Sequence, residues 1–269
     1  MQTTHFDAYR EKYQDTHLKI DNYLIRRMGL IANQTTLRMG DYHMQGALAM
    51  VSFGGAQVLA VLSPNEIAHF SRFVGKPASL ILAFDRPGIK EPVRYHLRIT
   101  MSAITPIPNR SNICLVQLQF KLIPPEFMSL LCDLLDDLSA RREAYDTKCE
   151  DMLEIDPKDF HVAAIKPRGE FFLGTNRIMV DINAVSLCRI RLTIPSWTFP
   201  ADTAADTHFN IKLVGIAGSF VISGTFEGEL PMQGGTHELK VDFSNELIDN
   251  SEEWQTRISI RARAAKPNT

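Results

Sequence analysis

Few side chains in this chain are of a type and spacing that suggest chemistry. The eight histidines (His5, His17, His43, His69, His96, His161, His208 and His237) show no pair at metal-ligand spacing. The four cysteines, Cys114, Cys132, Cys149 and Cys188, form no C-x-x-C pair and read as buried free thiols of a reducing compartment. There is no G-x-x-x-x-G-K-[ST], no G-x-G-x-x-G, no H-E-x-x-H and no G-x-S-x-G. With no nucleophile–base pair to argue from, an enzyme is not expected, and neither is a metal. What remains is guanidinium chemistry. Arg141 and Arg142 stand side by side in a polar run, and Arg189 and Arg191 follow Ser186. A guanidinium fork grips phosphate bidentately and stacks on flat rings, which an ammonium does less well. The plainer readings stand beside this one. Arg141 and Arg142 also suit a solvated helix end, paired with Asp137 or Glu143. Ser186 suits an ordinary strand, and Arg189 and Arg191 alternate with Ile190 and Leu192 as outward residues of a half-buried strand do.

These residues have to be positioned by β structure and one helix. Residues 1–30 read as helical, with Tyr9, Tyr13, Leu18, Ile20 and Leu24 recurring on one side. Short apolar runs between turn signals then predict strands at Ala47–Val51, Ala56–Leu62, Ala78–Phe84, Tyr95–Ile104 and Ile113–Phe120. In Tyr95–Ile104 the odd positions Tyr95, Leu97 and Ile99 face one way, and His96, Arg98 and Thr100 the other. Pro124-Pro125 closes this series and opens a helix whose Met128, Leu131, Leu134, Leu135 and Leu138 share one face. A second series follows: Glu170–Leu173, Ile178–Ile182, Ser186–Ile194, Phe209–Ile216, Phe220–Glu227, Glu238–Phe243 and Arg257–Arg263. Trp197 and Trp254 read as core or barrel-end plugs, a reading that an exposed Phe199 or Phe209 would change. The two series echo each other, since Val-Ser opens a strand region in each and a strand finishing in Phe closes each (Phe120 and Phe243).

Composition narrows the class. The chain has 269 residues, 45% hydrophobic and 22% charged, with 29 basic and 31 acidic residues and a net charge of −2. That excludes a disordered, collagenous or coiled-coil chain. It also lacks the basic excess of a duplex-binding protein, so DNA is not expected as a partner. No segment reaches the roughly 18 apolar residues of a membrane helix, and the polar N-terminus has no secretory signal core. The expected location is cytoplasmic.

Several blocks resemble a known family. They are the Lys12-Tyr13 start, ALAMVSFGGAQVL, SLILAFDRP, HLRITMSAITPI, ICLVQLQFKLIPPEFMSLLCDLL and the Arg pair at 141–142. Together they resemble the PilZ domains, which are cyclic di-GMP receptors, and more closely the two-module spirochaete proteins with a PilZ-like N-terminal barrel before a C-terminal PilZ barrel. The resemblance implies a mainly β fold: two small six-stranded antiparallel barrels joined by a helical linker, with a short N-terminal helix. The expected divisions are a barrel with flanking helices at 1–138, a linker at 139–154 and a second barrel at 155–269.

In PilZ domains an R-x-x-x-R segment and a [D/N]-x-S-x-x-G motif grip the nucleotide. Here Arg141 or Arg142 supplies the first Arg, but the second falls on Tyr145 or Asp146. In Ala184–Arg189 only Ser186 is kept, with Ala184 in the Asp/Asn position and Arg189 in place of Gly. In the first module, Met50–Gly55 keeps Ser52 and Gly55 but has Met in the leading position. A bidentate charged contact is worth about 1–3 kcal/mol, so these losses weaken binding by roughly two to four powers of ten. The expectation is a non-enzymatic signalling or interaction protein that works through a protein partner of the motility or signalling apparatus. It needs no cofactor. Cyclic di-GMP remains a possible regulatory ligand, held if at all by Arg141, Arg142, Ser186 and Arg189.

Overall fold

The computed structural model describes residues 2–110, 112–148, 151–155, 164–195, 208–225 and 234–264. Trp197, Phe199, Cys149 and His161 lie outside them, as do residues 226–227 of the strand expected at Phe220–Glu227. The chain divides into two compact units, Met1–Asp137 and Leu138–Thr269. The division falls inside one long helix.

In unit 1 the expected N-terminal helix is two shorter ones, α1 (Gln2–Tyr13) and α2 (Asn22–Met28), with the two-residue strand β1 (Leu18–Lys19) between them. Local chemistry sets the break. Asp21 caps α2, its Oδ1 accepting the Leu24 N–H at 2.8 Å. The strands are β2 (Thr36–Met39), β3 (Tyr42–Gln45), β4 (Ala47–Val51), β5 (Gly55–Val61), β6 (Pro77–Phe84), β7 (Val93–Pro106) and β8 (Ile113–Leu122), with α3 (Pro64–Phe70) between β5 and β6. A Ser63/Glu66 capping box starts α3. These strands form one antiparallel sheet of eight, in the order β1-β4-β5-β8-β7-β6-β2-β3. Gly46 alone separates β3, at one end of that order, from β4 beside the other end, so the sheet has to curl. The expected alternation in β7 is present. Leu97, Ile99 and Met101 are buried with Leu80, Leu82 and Phe84 of β6, while His96 and Arg98 are exposed.

The second half of α4 (Pro125–Lys148) begins unit 2. It is followed by β9 (Leu153–Glu154), β10 (Arg168–Leu173), β11 (Asn176–Val185), β12 (Arg189–Ile194), β13 (His208–Gly215), β14 (Gly218–Thr225), β15 (Gly235–Lys240) and α5 (Asn245–Ala264). Of the residues expected as linker, 139–148 are helical and 153–154 pair with β11. The sheet runs β14-β13-β10-β11-β12-β15. It closes on itself where Gly224 bridges Val241 and the Asp242 N–H donates to the Ser223 carbonyl at 2.7 Å. Six strands thus make a barrel, with β9 added at the side. Its core holds Phe171 stacked on Phe209 at 5.5 Å, with Ile190, Leu192, Ile211, Leu239 and Trp254. Phe209 is fully buried, so it offers no ligand platform.

Two expectations are corrected. Arg257–Arg263 is not a strand but part of α5. Leu247, Ile248, Ser251 and Trp254 are buried at helical spacing, and the Ser244 hydroxyl accepts the Leu247 N–H at 3.2 Å as a cap. Ser186 is not within a strand; it sits in the turn between β11 and β12. Among the described residues, no helix is long and apolar enough to cross a membrane.

Candidate functional site

The four residues singled out from the sequence all lie in unit 2: Arg141 and Arg142 on α4, Ser186 in the β11–β12 turn and Arg189 at the start of β12. Ser186 is buried, 1% exposed, and its hydroxyl is spent on the turn. Its Oγ accepts the N–H of Cys188 at 3.3 Å and of Arg189 at 2.8 Å, and its own N–H donates to the Arg189 carbonyl at 2.8 Å. Beyond it, the Arg189 guanidinium lies 3.2 Å from Glu238 on the neighbouring strand β15, to which β12 pairs in register. Arg191 reaches the same carboxylate at 3.5 Å and Glu154 at 2.9 Å. Alternation places both arginines on the outer face, where Arg191 lies directly opposite Glu238 and Arg189, opposite Lys240, reaches Glu238 diagonally.

Arg141 is the deepest charge of the group. Its side chain is 7% exposed, and its Nη1 lies 2.7 Å from the Asp249 carboxylate on α5. Arg142 lies 3.6 Å from Asp146 one turn on, and its guanidinium stacks 5.3 Å from the ring centroids of both Tyr145 and Phe243. Tyr145, which with Asp146 is one of the two positions the family pattern offers for a second Arg, donates its hydroxyl to the Val241 carbonyl at 3.0 Å and meets Phe243 edge-on at 5.6 Å. The end of α4 thus grips the last strand and α5 with the side chains expected to hold ligand.

A cleft does lie beside Ser186. Lys148, Leu153, Leu187, Ile248 and Glu252 help line it, and the Ser251 Oγ is buried there without a hydrogen-bond partner. Its volume of about 80 Å³ is well short of the ~300–1,000 Å³ typical of small-molecule sites. Among the described residues no group of three His, Cys, Asp or Glu could hold a metal.

Unit 1 contains the same turn. The Ser52 N–H donates to the Gly55 carbonyl at 2.9 Å, and its Oγ accepts the N–H of Gly54 at 3.3 Å and of Gly55 at 3.2 Å. Each turn joins the two strands of a pair with one register shift, between Leu48 and Met50 in the first and between Ile182 and Ala184 in the second. In both, the residue two after the serine accepts a main-chain bond from a strand further on: Phe120 N–H to Gly54 at 3.0 Å, and Val241 N–H to Cys188 at 2.8 Å. The difference lies at the fourth turn position. A Cβ on Gly55 would collide with the Leu118 carbonyl oxygen, so packing against β8 requires glycine there. Arg189 meets no such obstacle. The Val-Ser echo hinted at this correspondence; the bulges and the shared acceptor carbonyls had no sequence signal.

A second cluster lies in unit 1 and was not foreseen. The hydroxyls of Tyr9 and Tyr13 both donate to the Asp136 carboxylate, Tyr13 at 2.8 Å, and Lys12 reaches it at 3.2 Å. These donors hold the Asp136 pKa below its ordinary value, Tyr9 contributing most. In return the hydrogen bond to Asp136 raises Tyr9 to about 12. The spacing Tyr9–Lys12–Tyr13 puts all three on one helical face, which is the signal that could have found it.

Residues 4–137 match a family model described as the PilZN3 domain. No match is found among curated protein sequences. Among solved structures, the Borreliella burgdorferi PlzA protein in complex with c-di-GMP aligns over 94% of this chain and 99% of its own, at 12% identity and a TM-score of 0.46. YcgR from Escherichia coli in complex with c-di-GMP aligns over 93% and 95%, at 9% identity and 0.23. The Bacillus subtilis inhibitor of motility MotI/DgrA aligns over 88% and 99%, at 8% identity and 0.27.

Proposed function

Because this chain belongs to the PilZ superfamily, with a PilZN3 domain at residues 4–137, we propose that it is a non-enzymatic signalling protein acting through protein contacts rather than through bound cyclic di-GMP. The observation that carries this is the ion pair between Arg141 and Asp249. The guanidinium best placed to take a phosphate already holds an internal carboxylate. A nucleotide would have to displace it. A half-exposed ion pair is worth on the order of 1 kcal/mol, so the competition lowers affinity by up to roughly a power of ten. The missing second Arg and the missing Asp/Asn act in the same direction. The narrow cleft beside Ser186 supports the same reading.

The rival reading is a cyclic di-GMP receptor using Arg141, Arg142 and the Ser186 turn. It draws on the exposure of Arg142, whose side chain is 59% accessible, and on Lys148 at the cleft. Calorimetry of the full chain with cyclic di-GMP decides between them. The proposal expects no saturable heat up to about 1 mM ligand, the weakest affinity worth a few kcal/mol. Saturable heat at micromolar ligand that vanishes in the Arg141→Ala, Arg142→Ala double variant would replace it with the receptor reading.

A further inference from the structure

None of the 31 acidic residues of the chain falls in any of the strands β1–β8. The same strands carry Lys19, Arg38, Arg94, Arg98 and Lys121, all exposed. Register gathers three of these across the outer face of unit 1. Arg38 lies opposite Ser79, Ser79 opposite Arg98, and Arg98 opposite Leu122, next to Lys121. At a strand spacing of about 4.8 Å the row spans roughly 14 Å. Two of these cations donate to neutral oxygens: Arg38 to the Gly40 carbonyl at 3.3 Å, and Arg94 to the Gln34 Oε1 at 3.4 Å.

Further along the same face the cations give way to carboxamides. Thr100 lies opposite Gln119, and Gln57 opposite Gln117. These glutamines line a depression of about 280 Å³, together with Ser102 and the Ser52 turn. Lys121 donates to the Gln119 Oε1 at 2.8 Å, which joins the cationic row to the rim of the depression.

We infer that this face binds single-stranded nucleic acid. The phosphates lie along Arg38, Arg98 and Lys121, and one unstacked base enters the glutamine-lined depression. A cationic face whose strands carry no acid complements a polyphosphate, and arginine, lysine and neutral polar side chains are the groups that contact nucleic-acid backbones. A carboxamide presents a donor and an acceptor side by side, as a base edge does. Only an unpaired base can be splayed onto a sheet in this way. A protein partner would instead seek large apolar or aromatic anchors at the centre. Among the described residues of the row and the depression, Leu122 is the one large apolar side chain that is exposed. The low net charge of the whole chain does not oppose this, because the acidic residues lie off these strands.

The test is fluorescence anisotropy of a labelled oligouridylate of about 20 nucleotides titrated with the full chain. Three phosphate contacts predict an affinity loss of about twentyfold between ~50 and ~200 mM salt. The exposed double variant Arg98→Gln, Lys121→Gln should lose only about threefold over that range and bind more weakly at low salt. Gln117→Leu should weaken binding without changing the salt slope. No binding at ~50 mM salt, or an unchanged slope in the double variant, overturns the inference. So does a polyglutamate of equal length competing as well as the RNA, which would point to an acidic protein segment. A duplex competing equally would overturn it too, by removing the role of the depression.

Discussion

Ser52 and Ser186 stand at the same corner of two separate sheets. Each turns its chain with one main-chain bond to the residue three positions on, and each hydroxyl accepts the N–H groups two and three residues on. The corners differ in burial, because the Cys188 bond is buried and Gly54 is exposed. Ser186→Ala should therefore cost about 1–3 kcal/mol, the penalty for buried donors left unsatisfied, and Ser52→Ala about 0.5–1.5 kcal/mol because water can replace the hydroxyl. Urea denaturation of both variants measures the difference, and equal losses would contradict it.

The fourth position of each corner answers to packing. Gly55→Ala should destabilise unit 1 by more than about 2 kcal/mol, since its methyl group would strike the Leu118 carbonyl. Arg189→Ala removes a half-exposed pair with Glu238 and should cost less than about 1 kcal/mol. Thermal melts of the two variants test this.

Asp249 supplies one carboxylate to a buried charge. Asp249→Ala takes the α5 carboxylate away from the Arg141 guanidinium and should cost about 1–3 kcal/mol, the scale of removing one partner of a buried polar group. Adding Arg141→Met in the same chain should recover part of the loss, because an apolar side chain of similar length replaces a buried charge. A double-mutant cycle by denaturant titration reads the coupling directly.

The anchoring of α1 should depend on pH at both extremes. Asp136 is held below its ordinary value of 3.8, so its contribution is present above that value and lost as pH falls through the lower folded value. Tyr9 is raised from 10.0 to about 12, so its contribution is complete below pH 10 and lost as pH climbs toward 12. Tyrosinate absorbance should show one tyrosine ionising about two units late. In Asp136→Asn that late phase should move back toward 10, and its persistence would refute the assignment.

Much of the architecture was legible in the residues. The alternation of Leu97, Ile99 and Met101 with His96 and Arg98 marks β7, and the leucines from Met128 to Leu138 mark α4, because periodicity reports directly on burial. The short hairpin β2–β3 offers too few residues for a pattern. Arg257–Arg263 alternates like a strand within its own window, and only Leu247 to Trp254 upstream reveal the helix. The site was harder to read. Ser52 and Ser186 were visible as an echo, but what Arg141 and Arg189 touch depends on Asp249 and Glu238, which are distant in sequence and carry no local mark. Charge was similar: the total was plain, and its sorting off the strands of unit 1 emerged only once the register was known.

The second barrel is shut by a very short seam. Gly224 lets the two margins meet there, since a Cβ at that position would run into the Lys240 carbonyl and the Phe209 ring. Brief as it is, that seam hides the flanks of β14 and β15 from any foreign strand. A bulky residue at Gly224 would not merely loosen one domain; it would expose two unpaired borders and give every copy a template on which to polymerise.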